Sequence, residues 1–150
     1  MSLAQQIEAD LKASMKARDA ETTGTLRMVL AGIKNLRAEA GHGAEVSDEE
    51  MIELLGREAK RRKEAATAYD EAGRPELADK ERRELAVLER YLPDQLDERE
   101  LAGVVDEAIA EVGASGPSDV GKVMAAVMPK VKGKADGKAV NAMVRARLGA

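Results

Sequence analysis

Gly121-Lys122-Val123-Met124-Ala125-Ala126-Val127-Met128-Pro129-Lys130-Val131-Lys132-Gly133-Lys134-Ala135-Asp136-Gly137-Lys138-Ala139-Val140-Asn141 reads as two amphipathic helices flanking a short loop crowded with lysine and glycine. On the upstream side Val120, Val123, Met124 and Val127 recur at three- and four-residue spacing, so Pro117–Met128 is expected to be helical. On the downstream side Asp136 is placed to cap a helix carrying Val140, Met143, Val144 and Leu148. Between them Lys130, Lys132 and Lys134 alternate with Val131, Gly133 and Ala135, a spacing that in an extended loop sets the lysines on one side. Lys122 and Lys138 add charge from the neighbouring helices, and Gly133 and Gly137 let a ligand backbone come close. Positive charge beside N–H groups at a helix start suits a phosphate or another anion.

The same period governs the rest of the chain. Leu3, Ile7, Leu11 and Met15 form one apolar stripe, with Ser2 as a cap. Leu26, Val29, Leu30, Ile33 and Leu36 line a second helix over about residues 21–39, and Gly41-His42-Gly43 breaks it. Ser47 and Glu50 have the spacing of a capping box. They start a third helix that carries Met51, Ile52, Leu54, Leu55, Ala59, Ala66 and Tyr69 and stops near Gly73. Leu77, Leu85 and Leu88 mark a fourth, which ends before Pro93. Asp97 and Glu100 form a second capping box for a helix over residues 98–112, with Leu101, Val104, Val105, Ala108, Ile109 and Val112 inward and Gly113 as its stop. No stretch alternates with period two, so the fold class is all-α without a sheet. Tyr91-Leu92-Pro93-Asp94-Gln95-Leu96 reads as a joint, giving an N-terminal helical domain over 1–93 and a three-helix C-terminal domain over 97–150.

Composition narrows the chemistry. The 150 residues include no Cys, Phe or Trp, and only Tyr69 and Tyr91 are aromatic. A disulfide framework and a thiolate site are therefore excluded, and the core must be built from Leu, Ile, Val, Met and Ala. No apolar run has the length of a membrane span and the start lacks a signal-peptide pattern, so a cytoplasmic protein is expected. The net charge of −4 conceals a split. Residues 113–150 carry seven cations against Asp119 and Asp136, whereas residues 1–112 are strongly acidic.

Motifs for catalysis are weak. Gly116-Pro117-Ser118-Asp119-Val120-Gly121-Lys122-Val123 approaches a nucleotide-binding P-loop, but Val123 replaces the hydroxyl that would hold Mg²⁺ and no strand precedes it. His42 is the only histidine and has no nearby partner, so it reads as a loop residue. Ser115 and Ser118 lack a neighbouring base. Glu53 with Arg57 and Glu58 with Arg62 read as solvated i,i+4 pairs. Arg57, Lys60, Arg61, Arg62 and Lys63 form a basic patch on the third helix, surrounded by acidic residues. No catalytic residue, metal site or cofactor is expected. The scarcity of aromatic residues near the lysine loop argues against base stacking and favours phosphate contacts with a folded RNA, not DNA.

The chain resembles the GatB/YqeY family, specifically its stand-alone YqeY-like members. The resemblance is carried by Arg27-Met28-Val29-Leu30-Ala31-Gly32-Ile33-Lys34-Asn35, by Arg74-Pro75-Glu76-Leu77, by Glu89-Arg90-Tyr91-Leu92-Pro93-Asp94-Gln95-Leu96, and most specifically by Gly121-Lys122-Val123-Met124 and the run from Met128 to Asn141. It implies that the C-terminal domain is similar to the tail of the B subunit of tRNA-dependent amidotransferase, a domain that contacts tRNA. Carried over residue by residue, it implies an RNA-binding set of Lys122, Lys130, Lys132, Lys134 and Lys138, with Gly121, Gly133 and Gly137 as backbone partners. The chain lacks that subunit's large catalytic cradle. Any carbon–nitrogen ligase activity with glutamine as amido-N-donor would be inherited through the tail alone. The expected function is thus non-catalytic binding of tRNA or another structured RNA. The alternatives are an accessory factor working with amidotransferase subunits and a protein-interaction module.

Overall fold

Ser47 Oγ accepts the Glu50 N–H at 3.1 Å while Glu50 Oε2 accepts the Ser47 N–H at 2.8 Å, so the capping box forms as a reciprocal pair. Ser2 and Gln5 make a second one at the N-terminus. Asp97 makes half of a third: its carboxylate accepts the Glu100 N–H at 2.7 Å, with no return bond from the Glu100 side chain. The computed structural model describes residues 1–41 and 45–150. Among them are seven α-helices: α1 Leu3–Lys16, α2 Ala20–Ala40, α3 Asp48–Glu71, α4 Pro75–Glu89, α5 Glu98–Val112, α6 Val120–Val131 and α7 Gly137–Leu148. A single 3-10 turn, Pro117–Asp119, leads into α6, and no strand is present among the described residues. The loop expectation for His42 lies outside the described residues.

The helices divide into two compact units, Met1–Leu92 and Pro93–Ala150. In the first, α1 packs on α2 and α3 on α4. Ile7, Leu26, Ile33, Met51, Leu55 and Leu88 are removed from solvent at its centre, each contributing about 1.5–3 kcal/mol of transfer free energy. Gly32 permits the approach of α2 to α3, because a Cβ there would lie 2.8 Å from Leu54 Cδ1. Tyr91 packs half-buried against this core, its hydroxyl donating to Asp10 Oδ2 at 2.6 Å. Burial, followed by this bond and the nearby charge of Asp10, raises the phenol pKa above its ordinary value.

Three expectations change in this unit. The α1 stripe ends on Ser14, not Met15, which is 49% exposed. Ser14 is tolerated inside because its hydroxyl bonds Leu11 O and Thr23 Oγ1, both at 2.8 Å. On α4, Ala78 and Val87 join Leu88 in the interior, while Leu77 and Leu85 are only half-buried. The Glu58–Arg62 pair is not solvated. Arg62 is 3% exposed, donates from Nη1 to Glu58 Oε2 at 2.8 Å, and rests its Nη2 against Met28 Sδ at 3.4 Å. Arg62 is thus withdrawn from the basic patch predicted on α3.

The second unit is a valine core. Val105, Val123, Val127, Val131, Val140 and Val144 are fully buried, flanked by Leu101, Ala108, Val120 and Leu148. Valine has essentially one rotamer in a helix, so little side-chain entropy is lost on burial. That economy suits a unit of roughly 60 residues, a size at which a single core is marginal. α6 begins later and ends later than its sequence pattern suggests. The Pro117 segment winds as a 3-10 turn, and the helix runs through Pro129 to the buried Val131. Pro129 sits in the last turn with its ring exposed, where only one helical hydrogen bond is forfeited.

Candidate nucleic-acid interface

The loop between α6 and α7 is set by glycine and by its own backbone. Lys132 caps α6 and Gly133 follows at φ +76°, a left-handed conformation that favours glycine. The N–H groups of Lys134 and Ala135 both donate to Val131 O, at 2.8 and 3.1 Å. The N–H of Lys138 donates to Asp136 Oδ1 at 3.3 Å, which caps α7 as expected. Much of the amide cradle anticipated for a ligand is therefore already occupied. What this loop presents outward is ammonium groups.

The predicted lysines do not form a single extended row. Lys130 and Val131 lie within α6, so residues 130–134 are not one extended segment, yet the side chains alternate as expected: Lys130, Lys132 and Lys134 are exposed, Val131 is buried, and Gly133 and Ala135 are half-buried. Lys130 Nζ is bound by both carboxylate oxygens of Glu111 on α5, at 3.2 and 3.0 Å. Lys122 is near the opposite end of α6, about 12 Å along the axis from Lys130. It lies close enough to Asp119 to help hold that carboxyl below its usual pKa, after the N–H bond from Ser115, which is the larger cause. Around the loop Lys132, Lys134 and Lys138 are all exposed, and the Lys134 and Lys138 side chains have no acidic partner among the described residues.

The three glycines differ in what they do. Gly133 is required by its backbone angle, and its carbonyl accepts Gln95 Nε2 at 2.7 Å. Gly121 is exposed on α6, and a Cβ there would meet nothing within 4 Å. At Gly137 a Cβ would make ordinary contact with Met128 Cε at 3.8 Å. Gly121 leaves clear space for an approaching backbone.

Charge is polarised inside this unit. Residues 93–112 hold Asp94, Asp97, Glu98, Glu100, Asp106, Glu107 and Glu111 against Arg99 alone, whereas residues 113–150 hold the seven cations. The acidic α5 thus shares a unit with the basic α6 and α7, and two surface pairs, Lys130–Glu111 and Arg147–Asp106, tie them together. Sequence reading missed Glu111 because nineteen residues separate it from Lys130 and no local pattern links them.

The P-loop-like segment closes on itself. The N–H groups of Ser115 and Gly116 donate to Asp119 Oδ2, at 3.0 and 3.4 Å, so the protein supplies its own anion there. Among the described residues no group of three or more His, Asp or Glu side chains is placed to hold a metal ion. None of the described helices is long and apolar enough to cross a membrane.

Comparison with known proteins gives the chain its relatives. The profile described as Yqey-like protein matches residues 4–148. Three fungal proteins named "Altered inheritance of mitochondria protein 41, mitochondrial" are similar. The one from Pyrenophora tritici-repentis is 27% identical over 148 residues, covering 97% of this chain and 80% of the relative. The one from Lachancea thermotolerans is 29% identical over 115 residues, covering 75% and 60%. The one from Clavispora lusitaniae is 30% identical over 91 residues, covering 61% and 52%. With a family match running from the first turn of α1 to the last of α7, the chain belongs to the YqeY-like protein family.

Proposed function

We propose that this protein binds structured RNA, with tRNA as the preferred class, through lysine–phosphate contacts made by the α6–α7 face of its second unit. The observation that carries this reading is the exposure of Lys132, Lys134 and Lys138 around the α6–α7 loop, where Asp136 is the one acid, while most of the unit's acidic residues lie between Asp94 and Glu111. Such contacts are sequence-independent and salt-sensitive, since each phosphate neutralised releases condensed counterions. Lys122 extends the charge along α6, and Lys130 joins once its pair with Glu111 opens. The choice of tRNA rests on the resemblance of the tail to the amidotransferase B subunit. Because the supporting features are binding features, the protein acts on RNA without chemistry of its own. Cytoplasmic residence is part of the proposal for this chain, whereas the fungal relatives are named as mitochondrial.

The test is filter binding of unfractionated tRNA at two or more salt concentrations. The reading expects affinity that falls steeply with salt and is similar across tRNA species. Affinity that ignores salt, or is absent at low salt, would overturn it.

A further inference from the structure

The segment that opens the second unit is hydrogen-bonded to the lysine loop. Gln95 Nε2 donates to Pro93 O at 2.8 Å and to Gly133 O at 2.7 Å. Both acceptors are carbonyls, so the nitrogen of the side-chain amide must face them, and its two hydrogens are both used. One residue on, the Leu96 N–H donates to Lys134 O at 2.8 Å. The consecutive carbonyls of Gly133 and Lys134 are thus held by consecutive residues nearly forty positions earlier. Neither bond belongs to a helix, and Leu96 packs half-buried against the valine core, which anchors the strap.

We infer that Gln95 is a positioning residue: with the Leu96 amide it fixes the α6–α7 loop so that Lys132, Lys134 and Lys138 are presented in one arrangement. The loop's internal bonds from the Lys134 and Ala135 N–H groups to Val131 O close the turn on itself but do not tie it to the rest of the unit. Gly133, at φ +76°, stands at the bend of that turn, and Gln95 grips its carbonyl from outside the loop. Turning two carbonyls inward also removes partial negative charge from the face where an anion would approach. The consequence for ligands rests on the RNA reading above. A pre-set array of ammonium groups loses less conformational entropy on meeting a rigid phosphate backbone than a mobile one.

Two arms test this. The first reads the free protein: amide hydrogen exchange at Leu96, Lys134 and Ala135 in the wild type, Gln95→Leu and Gln95→Arg. Gln95→Leu keeps bulk but has no donor, and it is expected to speed exchange at these three amides. Gln95→Arg can donate to both carbonyls, and it is expected to restore protection. The second arm titrates unfractionated tRNA. Gln95→Leu is expected to weaken binding about two- to tenfold while leaving the slope of log affinity against log salt unchanged, because no phosphate contact is removed. Gln95→Arg adds a cation beside the lysines and is therefore compared by exchange protection alone, its tRNA affinity being raised by charge whatever its effect on the loop.

Unaltered exchange in Gln95→Leu would overturn the strap. Faster exchange with unaltered tRNA affinity would overturn its role in presentation. Failure of the wild type to bind tRNA would refute the RNA reading and the strap's role in presenting lysines to RNA, leaving the exchange arm to decide the strap itself. If Gln95→Leu unfolds, Gln95→Glu takes its place, since an ionised carboxylate of the same size has no donor for the two carbonyls, and unaltered exchange in that folded variant would overturn the strap.

Discussion

Lys130 Nζ lies within 3.2 Å of both carboxylate oxygens of Glu111, so one of the cations in the predicted RNA-binding set is matched by an acid on the adjoining helix. Both side chains are substantially exposed, and the pair contributes little to stability. Its effect falls on the charge presented to a ligand. Glu111→Gln is expected to strengthen tRNA binding and steepen its salt dependence by about 0.7–0.9 in slope, the increment of one additional phosphate contact. Filter binding at two salt concentrations measures both. An unchanged slope would show that Lys130 does not reach the RNA.

The glycines give a second test, which separates backbone need from ligand access. Gly133→Ala forces a Cβ into left-handed backbone and should cost about 1–2 kcal/mol in urea denaturation. Gly121→Ala places its methyl in open space on a helix and should stabilise by about 0.5 kcal/mol. If RNA approaches α6 at this position, Gly121→Ala weakens binding while the protein becomes more stable, an opposition that misfolding cannot produce.

Arg62 supplies a third. Its Nε lies 3.3 Å from Glu84 Oε2 without the alignment of a hydrogen bond, and its Nη1 is bound to Glu58. The contact with Glu84 is therefore one of charge, across the seam between α3 and α4. Removing a buried ion's partner leaves uncompensated carboxylates, so Arg62→Ala should lower stability by about 3 kcal/mol and Arg62→Met by less. Neither should alter tRNA affinity measured on folded protein. A selective loss of RNA binding in Arg62→Met would return this residue to the surface patch inferred from sequence.

Acid pH bears on the turn before α6. The Ser115 N–H bond, then the Gly116 N–H and the charge of Lys122, hold the Asp119 carboxyl below its ordinary range despite some desolvation. A folded-state pKa below the unfolded one means that the stabilisation is present above about pH 4 and is lost as pH falls through the folded value. Asp119→Asn should flatten this acid limb of the stability profile for the second unit. The same acid loss in variant and wild type would assign it to other carboxylates of that unit.

Helix positions were legible because their signals are local. Ser47 with Glu50, Gly73, Gly113 and Asp136 each act within one turn of where they stand, and each does what its residue type dictates. The burial of Arg62 was not legible, since its position at i+4 from Glu58 is equally that of a solvated pair. The contacts with Met28 and Glu84 come from α2 and α4, far away in sequence. Likewise Ser14 replaces Met15 inside because Thr23 offers a hydroxyl across the α1–α2 turn. At the candidate site the lysines themselves were legible. Their alternation with Val131, Gly133 and Ala135 was legible too, but their pairing and support were not, because these depend on Glu111 and on Gln95 reaching Gly133 from the unit's first residues.

The most direct test of the RNA reading is tRNA binding by the double variant Lys134→Glu, Lys138→Glu, titrated beside the wild type across a range of salt. Both side chains are exposed and without acidic partners among the described residues, so the fold should persist. The account predicts affinity lower by at least about tenfold for all tRNAs alike, with the salt slope reduced by about 2. Affinity and slope equal to those of the wild type would contradict it.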